Sequence, residues 1–253
     1  MKNILNKTVE QIILEDFTFA GVLHYFGVSY SEHLSDKIEQ LCSEKKINFS
    51  LLEKQYEANI NVGKFSFTEL RNKPISQLLE VLKQSHYQFV KVRIPYINSL
   101  IIQNNIAEIS NDDHSELRYL FDMFAMDFIH HVREEEEVIF DHVINMCDAA
   151  AGKYDMLALH KLLSKVSIQE EAIEHASPDE DMRFIREIND QYISSLQSGK
   201  KVSIELHVLF SEMKSFEKDL STHSKIENEI LFPRAIKLEK SLYKELSSTA
   251  SLN

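Results

Sequence analysis

The sequence predicts an all-α protein, an up-down-up-down four-helix bundle that follows a small N-terminal helical domain. Residues that interrupt helices are sparse, with 5 Gly and 4 Pro among 253 residues, and this scarcity favours long helices over strands and tight turns. Four long segments of helical periodicity follow one another with short connections between them. Such an order of elements is typical of up-down-up-down bundles.

The predicted elements divide the chain near residues 70 to 75. Short apolar-periodic stretches in residues 1–70 predict the small helical domain, and residues 75–248 form the predicted bundle. Asp113 is a candidate N-cap for the second long helix. Ser177 and Pro178 have the pattern of a helix start, so we expect a kink or break in the third. The four predicted helices span residues 75–106, 114–149, 155–196 and 200–246.

Composition and charge exclude several classes of protein. The formal net charge is -12, which works against binding to nucleic acid or to an anionic membrane. The N-terminus lacks the pattern of a signal peptide, and no apolar run reaches the roughly 18 residues of a transmembrane helix. Cys42 and Cys147 are far apart in the sequence, which indicates ordinary thiols in a reducing compartment. We therefore expect a cytoplasmic protein without a nucleic-acid or membrane partner.

One motif occurs twice, as HVREEEEVIF from His131 and as HSKIENEILF from His223. In each copy a Glu follows the His by four residues, Glu135 in the first and Glu227 in the second, and an aliphatic pair and a Phe come after a second Glu. A single pair of this kind is usually a surface contact. Two copies in register with apolar helix faces favour a shared site.

Steps of three and four residues along the predicted helices identify the faces that would point into the bundle. These inward faces, or seams, are apolar except at a few positions. At those positions His, Glu, Arg or Tyr occupies a place that Leu or Phe would normally fill. The predicted inward residues are Leu79, Leu82, His86, Phe89, Arg93 and Tyr96 in the first helix, Leu117, Phe121, Phe124, Phe128, His131, Glu135 and Val138 in the second, and Leu206, Leu209, Met213, Phe216, Leu220, His223, Glu227 and Ile230 in the fourth.

Inward carboxylates and imidazoles require a shared counter-charge. A buried polar group without a partner costs roughly 1–3 kcal/mol, and a buried carboxylate costs more. Bundles that hold two iron or manganese ions use inward Glu and His side chains, and imidazole with carboxylate but no thiolate suits iron, manganese or zinc. The sequence therefore predicts a two-metal centre, against the alternative of ordinary core histidines. Within Glu134–Glu137 only Glu135 lies on the predicted seam, so we expect the other acids to be a solvated face.

These motifs, together with SHYQFVKVRIP around His86, resemble those of hemerythrin-like proteins, and specifically those of the repair of iron centres (iron-sulfur cluster repair) family. The resemblance covers nearly the whole chain, because that family also has a small N-terminal domain. It implies an oxo-bridged, non-haem centre of two iron ions, in preference to manganese or zinc, held by four His and two Glu. His160 is the alternative to His175 as the ligand from the third helix. The implied metal ligands are His86, His131, Glu135, His175, His223 and Glu227.

The resemblance also implies a role in the nitrosative or oxidative stress response. The expected activity is repair of damaged iron-sulfur proteins, with oxygen or nitric oxide as a small diatomic ligand. The other expectation is a protein that binds or senses these ligands, or stores iron, without turnover. HYFGVSYSEHL has the turn of the family's small domain but not its Cys pair, so we expect iron binding with poor repair. The N-terminal domain would then serve in docking or in forming a homodimer.

Overall fold

The computed structural model describes residues 4–61, 66–103, 111–175, 187, 190 and 203–250. The elements within these ranges are helices joined by turns, and no strand occurs among them. The prediction of an all-α protein is confirmed. None of the helices in the described part of the chain combines the length and the apolarity that crossing a membrane requires.

Five short helices precede the long ones, as the sequence predicts. The first begins after Thr8, whose side chain accepts from the backbone N–H of Gln11 while the Gln11 side chain accepts from the N–H of Thr8. This reciprocal cap satisfies two backbone donors that a helix start leaves open. The five are α1 (Val9–Glu15), α2 (Thr18–Tyr25), α3 (Ile38–Glu44), α4 (Phe49–Asn61) and α5 (Phe67–Asn72).

Three long helices follow, and each contains a π-helical segment that the sequence did not predict. The first runs as α6 (Ile75–Tyr87), π1 (Gln88–Arg93) and α7 (Ile94–Gln103). The second runs as α8 (Asn111–Glu134), π2 (Glu135–Phe140) and α9 (Asp141–Ala150). The last runs as α12 (Ile204–Ile226), π3 (Glu227–Leu231) and α13 (Phe232–Ala250). Because α8 is already helical at Asn111, the expected N-cap at Asp113 is wrong: the residue lies inside the helix.

The third predicted helix is broken earlier than expected. Its described part up to residue 175 contains α10 (Met156–Leu163) and α11 (Ile168–His175), whereas the predicted break at Ser177–Pro178 lies outside the described residues. Ser167 explains the observed break, because its Oγ accepts from the N–H of Glu170 at 3.3 Å and so caps a new helix. A second cap comes from Glu239 in α13, whose Oε1 accepts from the N–H of Ile168 at 3.0 Å.

The chain divides into two compact units. The described parts of Met1–Lys64, Lys91–Met123 and Met182–Lys218 form the first unit, and those of Phe65–Val90, Phe124–Asp181 and Asp219–Asn253 form the second. Helices α1 to α4 thus share the first unit with α7, whereas α5 belongs to the second unit.

Their packing is close at Tyr96. A Cβ placed on Gly21 of α2 would lie 3.4 Å from Cε1 of the Tyr96 ring. The centroids of the His24 and Tyr96 rings are 4.8 Å apart.

The first unit contains an ion pair between the half-buried Arg93 and the buried Glu212. The Arg93 guanidinium also lies over the ring of Phe216, 5.7 Å from its centroid. Burial, and secondarily the Glu212 carboxylate, raise the pKa of Tyr96 above its usual range, so this phenol stays neutral. Arg93 and Tyr96, the two polar residues at the end of the first predicted inward face, therefore belong to a local structural cluster.

The second unit has a core to which all four long segments contribute. Apolar side chains of the first, second and fourth long helices meet those of α10 and α11 in one cluster, and this packing holds the helix segments that carry the polar inward residues. Its members include Leu78, Leu79, Leu82, Ile139, Phe140, Val143, Met146, Leu159, Leu162, Leu163, Ile168, Ile226, Ile230, Leu231, Phe232 and Leu242.

We predict that Glu239→Ala lowers the free energy of unfolding by about 1–3 kcal/mol, because it leaves the buried N–H of Ile168 without its acceptor. Glu245 lies exposed in the same helix and provides the control. Glu245→Ala should change the free energy by no more than about 0.5 kcal/mol. Chemical denaturation of both variants measures the difference, and equal effects would contradict a capping role for Glu239.

Candidate metal centre

Two histidines and two glutamates from three long helices converge in the core of the second unit. His86 comes from α6, Glu135 is the first residue of π2, His223 lies in α12, and Glu227 is the first residue of π3. Their exposed fractions are 2%, 2%, 7% and 1% respectively. One ligand atom from each lies within 4.8 Å of the ligand atoms of the other three. This group can hold a metal ion.

The contacts within the group are short. The Nε2 atom of His86 lies 2.9 Å from Nε2 of His223 and 3.3 Å from Oε2 of Glu135. The Nε2 atom of His223 lies 2.7 Å from Oε1 of Glu227. Metal bonds of about 2.1 Å place neighbouring ligand atoms of one octahedral shell about 3.0 Å apart and opposite ones about 4.2 Å apart. The observed separations therefore have the scale of a coordination shell.

The chemistry of the four side chains also fits a cation. Two carboxylates buried together repel each other strongly where the dielectric constant is low. The two facing ring nitrogens share at most one proton between them, whereas a metal ion accepts a lone pair from each. A divalent cation would offset the carboxylate charge. Imidazole and carboxylate without thiolate are ligands that suit iron, manganese and zinc.

Aromatic rings enclose the histidines of this group. The ring of Phe140 stacks on His86 at a centroid distance of 5.5 Å and an interplanar angle of 5°. The ring of Phe89 meets His223 edge-on at 5.5 Å and packs against Phe128 at 6.0 Å. The Phe at the end of each motif is buried, since Phe140 and Phe232 are 0% and 2% exposed. These rings limit the rotation of the imidazoles and exclude water.

The π-helical segments coincide with the site. Segments π2 and π3 begin at Glu135 and Glu227, and π1 begins two residues after His86. Single π-helical turns inside α-helices are rare in proteins, and those that occur often lie at functional sites. Because such a turn shifts the register, Ile139 and Phe140 are buried where the 3-4 stepping predicted Val138, which is 43% exposed.

The two copies of the motif are not equivalent in the structure. The second delivers both His223 and Glu227 to the buried group, whereas the first delivers Glu135. The side chain of His131 is exposed, and Val132 is buried in its place on the seam. The ring of His131 lies 6.4 Å from that of Phe128. Its role as a ligand stays a prediction.

The third-helix ligand also stays a prediction. His175 is the last residue of α11, and its side chain lies outside the described part of the structure. The alternative, His160, lies in α10 with an exposed side chain.

The acidic run Glu134–Glu137 divides into outer and inner residues. Glu134 and Glu137 are exposed, and they face His130 at 3.3 Å and Arg133 at 2.8 Å on the helix surface, as expected of a solvated face. For Glu136 that expectation is wrong, because its Oε1 lies 2.8 Å from Nδ1 of His86. Sequence reasoning missed this residue, since regular helical stepping turns it away from the seam. The four consecutive acids were the only signal for it.

No family model matches this chain, and no curated protein matches it either. The resemblance to the hemerythrin-like proteins therefore rests on the histidine and glutamate motifs alone.

We predict that Glu135→Ala and Glu227→Ala abolish metal retention, since each removes a buried carboxylate that offsets the charge of the cation. Glu134→Ala and Glu137→Ala are matched controls from the same acidic run and should retain metal like the unchanged protein. Metal content after reconstitution with ferrous iron and desalting measures this. If all four variants behave alike, the buried carboxylates are not ligands.

Proposed function

We propose that this chain is a non-haem di-iron protein of the cytoplasm, built on a hemerythrin-like up-down-up-down four-helix bundle. We further propose that it acts in the nitrosative or oxidative stress response by helping to repair iron-sulfur clusters. The observation that carries the first proposal is the buried group of His86, Glu135, His223 and Glu227. The resemblance of the motifs supports the second.

The side chains of the group would hold the ions and shield them. Glu135 and Glu227 would carry the negative charge that offsets the ions, and the oxygens of both carboxylates would act as ligands. His86 and His223 add one nitrogen each. When bound, iron supplies one-electron redox chemistry and an open position for a small molecule. Phe89 and Phe140, which pack on His223 and His86, would keep bulk water from the site and so favour an apolar diatomic over a charged ligand.

Two further residues would complete the six-ligand set that the resemblance implies. His131 lies one helical turn before Glu135 on the same helix, and His175 ends α11, whose first N–H is anchored to Glu239. In the proposed loaded state His131 turns inward from its exposed position. The buried group supplies four ligands, which leaves coordination positions for these residues and for a diatomic ligand.

A second candidate function is the binding or sensing of oxygen or nitric oxide, or iron storage, without turnover. The feature that favours it is the N-terminal stretch HYFGVSYSEHL, which lacks the Cys pair of the family that the motifs resemble. The aromatic shell around the histidines is equally compatible with reversible binding of a diatomic ligand.

The metal content tests the proposed centre directly. We predict about two iron ions per chain after anaerobic reconstitution with ferrous iron, as in other bundles with inward Glu and His. An absorption band in the near ultraviolet should appear on oxidation. A content below about one ion per chain would contradict a two-metal site.

Reactivation of a damaged enzyme separates the two candidate functions. We predict that the iron-loaded protein restores activity to a hydratase whose iron-sulfur cluster has been damaged by nitric oxide. The Glu227→Ala variant, prepared in the same way but expected to lack iron, should restore none. A nitric oxide adduct in the optical spectrum without any reactivation would instead support the binding function.

A further inference from the structure

The carboxylate of Glu136 makes a contact that the proposed iron centre does not by itself explain. Its Oε1 lies 2.8 Å from Nδ1 of His86, on the opposite side of the ring from the buried group. His86 is 2% exposed in its side chain and Glu136 is 35% exposed. A carboxylate accepts hydrogen bonds but does not donate them when ionised. With Glu136 ionised, the proton of this contact resides on Nδ1 of His86.

This contact determines which ring nitrogen of His86 has a lone pair available to the buried group. In a neutral imidazole with its proton on Nδ1, the Nε2 atom carries a lone pair. Here Nε2 faces Oε2 of Glu135 at 3.3 Å and Nε2 of His223 at 2.9 Å. The lone pair thus points at the place where the four ligand atoms converge. A carboxylate on the far nitrogen of a metal-binding imidazole also makes that imidazole a stronger donor.

The π2 segment explains how adjacent residues reach the same ring. Consecutive side chains on a regular helix point about 100° apart. Glu135 and Glu136 nevertheless contact the same ring, Glu135 at Nε2 of His86 and Glu136 at its Nδ1. Phe140, the last residue of the same segment, stacks on the face of that ring. Residues of one short π-helical segment therefore contact both nitrogens and one face of the His86 ring.

The second copy of the motif has no equivalent carboxylate. The residue after Glu227 is Asn228, whose Nδ2 donates to Oγ of Ser224 at 3.2 Å. In the first copy the neighbouring acids Glu134 and Glu137 face side chains of their own helix. Of Glu134, Glu136 and Glu137, it is Glu136 that contacts Nδ1 of His86.

We propose that Glu136 is a positioning residue that acts through His86. By accepting the Nδ1 proton it orients the ring, directs the Nε2 lone pair into the buried group and raises the affinity of the site for a divalent metal ion. This inference rests on the proposed metal function for its consequence, but the orientation of His86 does not depend on a bound metal.

The first experiment uses metal-free, full-length protein. Long-range proton–nitrogen NMR spectra, with His86 assigned by its loss in His86→Gln, should show the proton on Nδ1 in the unchanged protein. Glu136→Leu should give a mixture of the two tautomers, whereas Glu137→Leu should leave the spectrum of His86 unchanged. A proton found on Nε2 in the unchanged protein would overturn the inference, whatever the protein binds.

The second experiment is an anaerobic titration with ferrous iron alone. Glu136→Leu should bind it about 10- to 100-fold more weakly than the unchanged protein, the usual effect of losing such a partner. Glu137→Leu should bind like the unchanged protein, and Glu136→Gln, which keeps an acceptor oxygen, should recover part of the affinity. If Glu136→Leu does not fold, the comparison of Glu136→Gln with Glu137→Gln decides, and equal affinities overturn the inference.

The two proposals fail in different ways. If the unchanged protein binds no ferrous iron, the proposed function is wrong, and the tautomer of His86 still decides whether Glu136 orients the ring. If the unchanged protein binds iron and Glu136→Leu binds it equally well, the proposed function stands and the positioning role of Glu136 is wrong.

Discussion

The burial of two carboxylates beside two imidazoles is the constraint on which the rest of this structure depends. Glu135 and Glu227 are almost completely enclosed, although taking an ionised carboxylate out of water costs several kcal/mol even after the protein relaxes. Leu or Phe at these positions would continue the apolar seams without any such cost. A cation shared between these side chains would compensate for the cost of burying them.

The backbone is adapted to the same constraint. Regular α-helices place a seam residue every three or four positions, which suits a continuous apolar core. Segments π2 and π3 start at the two buried glutamates. Each π-helical segment changes the register, so that Phe140 can follow Glu135 on the inner side, and in π2 it also brings Glu136 to His86. The apolar cluster contributed by all four long segments holds these irregular turns in place.

The periodicity of the sequence was enough to predict the helices and most of the core. All inward residues predicted in the last helix, from Leu206 to Ile230, are buried, because an apolar stripe of that length can be satisfied only by packing. The four members of the buried group were also among the predicted ligands. One error, the exposed side chain of His131, lies in α8 before π2 begins. Two others lie where local geometry departs from a regular helix: Val138 is exposed and Glu136 faces a histidine. Neither follows from residue types, since a π-helical turn leaves no pattern in a single sequence. The break before Ile168 depended on Ser167 and on Glu239, a partner distant in the chain.

The proposed function depends on iron binding at one buried site between His86, Glu135, His223 and Glu227. Anomalous diffraction at the iron absorption edge, from crystals of protein reconstituted with ferrous iron, tests it most directly. We predict anomalous density within bonding distance of Nε2 of His86, Nε2 of His223 and a carboxylate oxygen of each glutamate. Iron density only at surface carboxylates, with no peak among these four side chains, would contradict it.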